Sequence, residues 1–188
     1  MIIERNNKFE RIILIGMPCS GKSSIGRALA QHYRLDFLDM DEEIVTHAGM
    51  SIQSIFEQKG EPEFREIETQ IAKKLSEVKN AIVATGGGVV TRENNMKFFM
   101  SESSAIVFIH RHVTRFITTP KRVMDKRPLL QNPSLDKLLN LYKIRLPLYR
   151  KYCNFEVHND ANKDDAIRSV IKLLEDQGLE PLKKESEE

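Results

Sequence analysis

The chain has little cysteine, no long apolar run and no surplus of charge of one sign. Each absence excludes something. Cys19 and Cys153 are the only cysteines and neither belongs to a C-x-x-C pair. A disulfide framework is therefore not expected, and a reducing compartment is. No apolar run approaches the roughly 20 residues that span a bilayer, and the N-terminal MIIERNNKFE has no apolar h-region. A soluble cytoplasmic protein is expected. Lys and Arg number 29 and Asp and Glu 27, leaving +2, too near neutral for a general nucleic-acid or membrane surface. No nucleic acid or membrane partner is expected, so any basic chemistry must be local. No internal repeat or low-complexity tract is visible. With 188 residues, 40% apolar and 30% charged, residues 1–178 fit one compact domain with a sizeable core, and two large domains would be crowded. Residues 179–188 read as a charged, disordered tail.

What is present begins with Gly16-Met17-Pro18-Cys19-Ser20-Gly21-Lys22-Ser23, a match to G-x-x-x-x-G-K-[ST]. It follows the apolar run Ile12–Ile15 and opens a helical pattern over about Lys22 to His32. Backbone N–H groups of such a loop, with the open end of the helix behind it, form a concave anion site. Cys19, Ser20, Gly21, Lys22, Ser23 and Ser24 are thus the candidate nucleotide-phosphate ligands, with Lys22 along the β- and γ-phosphates and the Ser23 hydroxyl on Mg²⁺.

Further along, strands alternate with helices: strands over Arg11–Ile15, Phe37-Leu38, Ala81–Ala84, Ala105–Ile109 and Phe155–Val157. Helical patterns lie between them, interrupted at Gly49 and Gly60, with Ser51 as an N-cap and Phe64, Ile67, Ile71 and Leu75 as one apolar stripe. The alternation predicts an α/β fold, a parallel sheet with helices on both faces. At the carboxyl end of the second strand, where such sheets bind ligands, stand Asp39 and Asp41, expected to project to one side of an extended backbone. Strand 3 empties into Thr85-Gly86-Gly87-Gly88, where a backbone can pass close to a ligand. The Pro-punctuated basic segment 111–133 reads as a lid.

A phosphate loop alone leaves kinase, GTPase and motor open. No N-K-x-D stretch for guanine is present, and strand 3 ends without an Asp, so Asp39 is the candidate carboxylate for Mg²⁺. The segments GMPCSGKSSIGRALA, LDMDEEI, FREIE, TGGG, RPLL and RLPLYR, over about residues 11–175, together resemble the shikimate kinase family of P-loop proteins in order and spacing. The resemblance implies a three-layer α/β/α sandwich with a five-stranded parallel sheet in order 2-3-1-4-5, a substrate-binding region around 41–70 and a lid around 115–132. It also implies transfer of the γ-phosphoryl of ATP to the 3-hydroxyl of shikimate; Mg²⁺ is the metal expected from the phosphate loop, and a monomer is expected. In that reading Arg65 and Arg145 grip the substrate carboxylate, a planar anion suited to guanidinium forks, and Glu68 sets the Arg65 rotamer. Asp41 positions the hydroxyls and can take the proton of the attacking oxygen; Gly86, Gly87 and Gly88 offer backbone to the substrate. Lys22 and Arg127 carry the charge of the transferred group, Arg127 arriving with the lid. The alternatives are another small-molecule kinase of this fold, of gluconate or nucleotide type, and an inactive nucleotide-binding regulatory module.

Taken singly, these residues have plainer readings: Arg65 and Arg145 as solvated helix charges, Asp41 as a first-turn acid, Arg127-Pro128 as a turn. His110 and His112 read as surface residues rather than metal ligands. Cys19 stands where relatives often have glycine, and is expected to avoid positive φ. It is either a packed neutral thiol or a reactive one controlling ATP binding. Ala161 and Asn162 fill positions where relatives often set a basic residue against adenine.

Overall fold

The computed structural model describes residues 9–117 and 135–179. Its centre is β1 (Arg11–Ile15), RIILI, buried at every position. Both its edges are paired in parallel, to β3 (Ala81–Ala84) with Ile13 opposite Val83, and to β4 (Ser104–His110) with Ile13 opposite Ile106. β2 (Asp36–Asp39) lies outside β3 and β5 (Phe155–His158) outside β4. The sheet is five-stranded, in the order β2-β3-β1-β4-β5, as the resemblance implied. Strands buried on both faces need apolar residues at consecutive positions rather than alternate ones, which is why β1, β3 and β4 read as unbroken apolar runs.

Two apolar cores flank the sheet. One packs α1 (Lys22–Tyr33) and the closing helix onto Ile12, Leu14, Ile82 and Val107, through Ile25, Leu29, Val170 and Leu174. The other packs Ile13, Ile15, Val83 and Phe108 against the chain between β2 and β3 and the helix before β5. That chain contains α2 (Met40–Ala48) and α3 (Ile52–Ser76). α3 is two helices in one run: Gly60, at φ 81 and ψ 172, breaks it where the sequence placed a break, Pro62 opens the second part, and Ser51 caps the first by accepting from Ser54 N–H. The face formed by Phe64, Ile67, Ile71 and Leu75 is buried as its spacing predicts. α4 (Glu93–Phe99), the single turn α5 (Thr114–Ile117), α6 (Leu135–Tyr152) and α7 (Lys163–Asp176) complete the described chain. No described helix is long and apolar enough to cross a membrane. Arg127, most of the lid segment and residues 180–188 lie outside the described residues.

Two sequence expectations are corrected here. Asp41 is not on an extended backbone with Asp39; β2 ends at Asp39, which caps α2, its Oδ1 accepting the Asp41 N–H at 3.0 Å. A side-chain acceptor one residue before a helix satisfies a free N–H, so the capping preference of Asp wins over strand continuation. His110 is not a surface residue, because β4 runs one residue further than its apolar stretch and carries the ring inside, 5% exposed.

Candidate active site

The loop between β1 and α1 is stitched by its own residues. Lys22, 6% exposed, donates from Nζ to the carbonyls of Gly16 (2.9 Å) and Met17 (2.8 Å), so its charge lies across the loop. Ser20 is fully buried and its N–H donates to Met17 O, while its hydroxyl has no partner among the described residues. Gly21 precedes α1 at φ 100. Cys19 sits at φ 64, contrary to the expectation that a non-glycine avoids the left-handed region. That conformation costs about 1–2 kcal/mol for a residue with a Cβ. The half-buried Cys19 side chain packs on the apolar core. Its carbonyl accepts from Arg111 Nη1 (2.8 Å), and the Ser20 carbonyl from Asn159 Nδ2 (2.8 Å). The ends of β4 and β5 thus hold the loop from beneath, through two side chains to which sequence reasoning gave no such role.

Ser23 Oγ donates to Asp39 Oδ2 at 2.6 Å. Helix α1 presents the hydroxyl and the end of β2 the carboxylate. Both are hard oxygen donors of the kind Mg²⁺ accepts in partial, water-completed coordination. The pair fits such an ion.

Beside the loop opens a cavity of about 570 Å³. Its polar wall includes Asp41, Arg65, Glu68, Gly86, Gly87, Gly88 and Arg145; its apolar wall includes Val45, Ile52, Phe56 and Phe64. The two arginines are not solvated helix charges: Arg65 is 8% and Arg145 3% exposed. Arg65 is held in one orientation by Glu68 Oε2 on Nη1 (2.8 Å) and by Glu61 Oε1 on Nε (3.2 Å) and Nη2 (2.9 Å). Burial pulls its pKa down, but the two carboxylates outweigh that and keep it above the usual arginine value. Glu68 is 1% exposed, and burial raises its carboxyl pKa against the pull of Arg65. Arg145 Nη1 and the hydroxyl of the fully buried Tyr149 both donate to Gly87 O, at 3.1 and 2.6 Å. Burial pushes the Tyr149 pKa up, so it stays a neutral donor. Tyr149 was missed as a site residue, although it stands four residues after Arg145 in RLPLYR and therefore on the same face of α6.

The glycine run is dictated by proximity. A Cβ on Gly87 would lie 2.5 Å from Pro18 Cδ in the phosphate loop, and one on Gly88 would collide with the Arg65 guanidinium. This close approach packs the end of β3 against both the phosphate loop and the arginine wall.

Asp41, Arg65, Gly86 to Gly88 and Arg145 are therefore brought together, next to a second cluster of Cys19, Ser20, Gly21, Lys22, Ser23, Ser24 and Asp39. Among the described residues Arg145 has no carboxylate in ion-pair contact, whereas Arg65 has two. The cavity can take an anionic group on its guanidinium side and hydroxyls near Asp41, beside a loop built for phosphates.

A five-stranded parallel sheet with a phosphate loop at the tip of its central strand, and a small polar cavity alongside, defines a P-loop kinase of small-molecule type. The family model for shikimate kinase matches residues 18–175. A shikimate kinase from Aquifex aeolicus is 37% identical over 169 residues, 90% of this chain and 98% of that relative. The solved shikimate kinase from Acinetobacter baumannii in complex with shikimate superposes with a TM-score of 0.85 at 33% identity, over 93% of this chain and 97% of that one. The chain belongs to the shikimate kinase family. A gluconokinase from Sinorhizobium meliloti matches with a TM-score of 0.57 at 18% identity, covering 91% of this chain and 94% of that one, and shares the fold alone.

Proposed function

We propose that this protein transfers the γ-phosphoryl group of ATP to the 3-hydroxyl of shikimate, giving shikimate 3-phosphate and ADP, a step of chorismate and aromatic amino acid biosynthesis. The observation that carries the reading is the pair of buried guanidiniums of Arg65 and Arg145 in one small cavity with Asp41. Shikimate is a cyclohexene carboxylate with three hydroxyls, and this cavity offers cations for the one and acceptors for the others. A nucleoside monophosphate would need a longer site with room for a base, and gluconate would not need the apolar wall of Val45, Ile52, Phe56 and Phe64.

Arg65 and Arg145 anchor the carboxylate at the far side of the cavity, which turns the ring so that its hydroxyls face Asp41 and the phosphate loop. Asp41 accepts hydrogen bonds from those hydroxyls and can take the proton of the attacking 3-oxygen as the P–O bond to it forms and the bond to ADP breaks. Lys22 leaves its loop carbonyls for the phosphates and stabilises charge on the transferred group, joined by Arg127 from the lid segment. Mg²⁺ held by Ser23 and Asp39 would neutralise charge on the phosphate oxygens. Oriented encounter and fixed charges supply most of the acceleration expected for phosphoryl transfer. We take the protein to act as a cytoplasmic monomer.

A coupled assay of ADP release tests the reading, with shikimate, quinate, gluconate and nucleoside monophosphates as acceptors. Release should depend on shikimate, and its absence with shikimate would overturn the proposal. A finer expectation concerns Tyr149. Tyr149→Phe removes one of two donors to Gly87 O, at a cost of about 1 kcal/mol in stability. Loosening the Gly86–Gly88 backbone should raise the shikimate KM severalfold and leave the ATP KM unchanged, as steady-state kinetics with each substrate varied would measure.

A further inference from the structure

At the carboxyl ends of β4 and β5, outside the cavity and the phosphate loop, three side chains converge that the reaction does not use. His110, Glu156 and His158 each offer one donor atom, and these atoms lie within 4.8 Å of one another. We propose that they form a binding site for a borderline divalent cation of the zinc class, with His110 Nδ1, Glu156 Oε1 and His158 Nε2 as ligands and the remaining position open to solvent.

The distances support this. His110 Nδ1 and Glu156 Oε1 are 2.7 Å apart, and His158 Nε2 is 3.7 Å from the same oxygen. Zinc bonds of about 2.0–2.1 Å in a tetrahedral arrangement set ligand atoms roughly 3.3 Å apart. One separation must open and the other close by about half an ångström, within reach of side-chain rotation. Two imidazoles and one carboxylate form a set that suits zinc and cobalt far better than magnesium, which prefers oxygen alone.

The second observation is that the outward atoms of all three ligands already have partners. His110 Nε2 meets the Tyr142 hydroxyl at 2.7 Å, His158 Nδ1 meets Asp160 Oδ2 at 3.4 Å, and Glu156 Oε2 accepts from Arg150 Nε at 3.0 Å. Metal-binding histidines are commonly fixed in this way, with the second ring nitrogen on a carboxylate or other polar group. His110 is further fixed by stacking on Phe108, with ring centroids 5.1 Å apart. Arg150 opposes the cation, since its Nη2 also donates to Glu156 Oε1 at 3.1 Å, but its side chain is 52% exposed and can turn away into water.

The site is coupled to the phosphate loop through one residue. Asn159, between His158 and Asp160, donates its N–H to His110 O (2.7 Å) and its side chain to Ser20 O (2.8 Å). A cation joining β4 to β5 would stiffen the support of the loop.

The test is a zinc titration of the full chain against a chromophoric chelator, with millimolar Mg²⁺ present to occupy hard-oxygen sites, and with cobalt absorption to report the ligand geometry. One equivalent should bind, with a cobalt spectrum of tetrahedral type, and raise the melting temperature. His158→Gln, at an exposed position, should fold normally, turn over normally without zinc, and weaken binding by more than the roughly 10- to 100-fold typical of losing an outer-shell partner. Arg150→Gln should tighten binding severalfold by removing the opposing charge. No stoichiometric binding, or equal affinity in wild type and His158→Gln, overturns the proposal; weaker binding in Arg150→Gln overturns the assignment of Glu156 as a ligand.

Discussion

Lys22→Met is expected to lower kcat by about 10³-fold, while the protein stays folded and still binds shikimate. Lys22 is a cation enclosed in the phosphate loop, donating to the two loop carbonyls of Gly16 and Met17. In the proposed reaction that charge passes from the loop carbonyls to the phosphates. Removing one preorganised donor from a site of developing charge costs about 10²–10³ in kcat, and a full charge on a transferred phosphoryl group belongs at the upper end. The structural cost is separate and smaller: two carbonyls lose a donor, about 1–3 kcal/mol in all. Circular dichroism and a melting curve would show a folded protein, and calorimetry would show unchanged shikimate affinity, because the arginines proposed to hold the carboxylate line the neighbouring cavity, which Lys22 does not. Retention of more than a tenth of wild-type turnover would contradict the role given to Lys22.

The loop and sheet were legible because their signals are local. An unbroken apolar strand, a glycine-lysine-serine turn and a helical stripe each lie within a dozen residues, and the order 2-3-1-4-5 came from the resemblance of six such segments taken together. The pairing of Asp39 with Ser23 was also legible, since Asp39 was the remaining acid at a strand end once strand 3 was seen to lack one; in the fold the two touch across 16 positions of sequence. Asp41 lines the cavity, but not from an extended backbone. A period-two strand argument ignored the capping preference of Asp39, which turns the chain into α2 one residue early.

What escaped was decided by long-range packing. Tyr149 meets Gly87 across 62 residues and Asn159 meets Ser20 across 139. Neither pairing has a spacing that could announce it, since a tyrosine in an amphipathic helix and an asparagine after a strand have ordinary explanations. The left-handed Cys19 was missed because a loop held from outside, by Arg111 and Asn159, can sustain a conformation that its own residue disfavours. His110 was misjudged because burial of a polar ring depends on partners, here Glu156 and Tyr142, that come from later in the chain.

Replacing Arg65 with glutamine should affect substrate binding and stability together, and pH separates the two effects. Losing one member of a buried charged contact to the substrate carboxylate costs about 2–4 kcal/mol, a rise of roughly 30- to 1,000-fold in the shikimate KM, with the ATP KM nearly unchanged. The same substitution leaves Glu68, 1% exposed, without its 2.8 Å partner. Burial already raises the Glu68 pKa above the model-compound value of 4.5 despite Arg65, which pulls it down. Without Arg65 it must rise further. A carboxyl whose folded pKa exceeds its unfolded pKa binds its proton more tightly when native, so its favourable contribution is complete below the unfolded value and lost as pH rises through the folded one. In Arg65→Gln that loss extends to higher pH than in the wild type. The melting temperatures of the two proteins should therefore lie closest near pH 5 and separate toward pH 8, the variant falling behind as Glu68 is forced to ionise without a cation. Melting curves across that range test the pairing independently of catalysis. A constant gap would mean that Arg65 does not hold the charge of Glu68, and a shikimate KM within threefold of wild type would remove Arg65 from the carboxylate site.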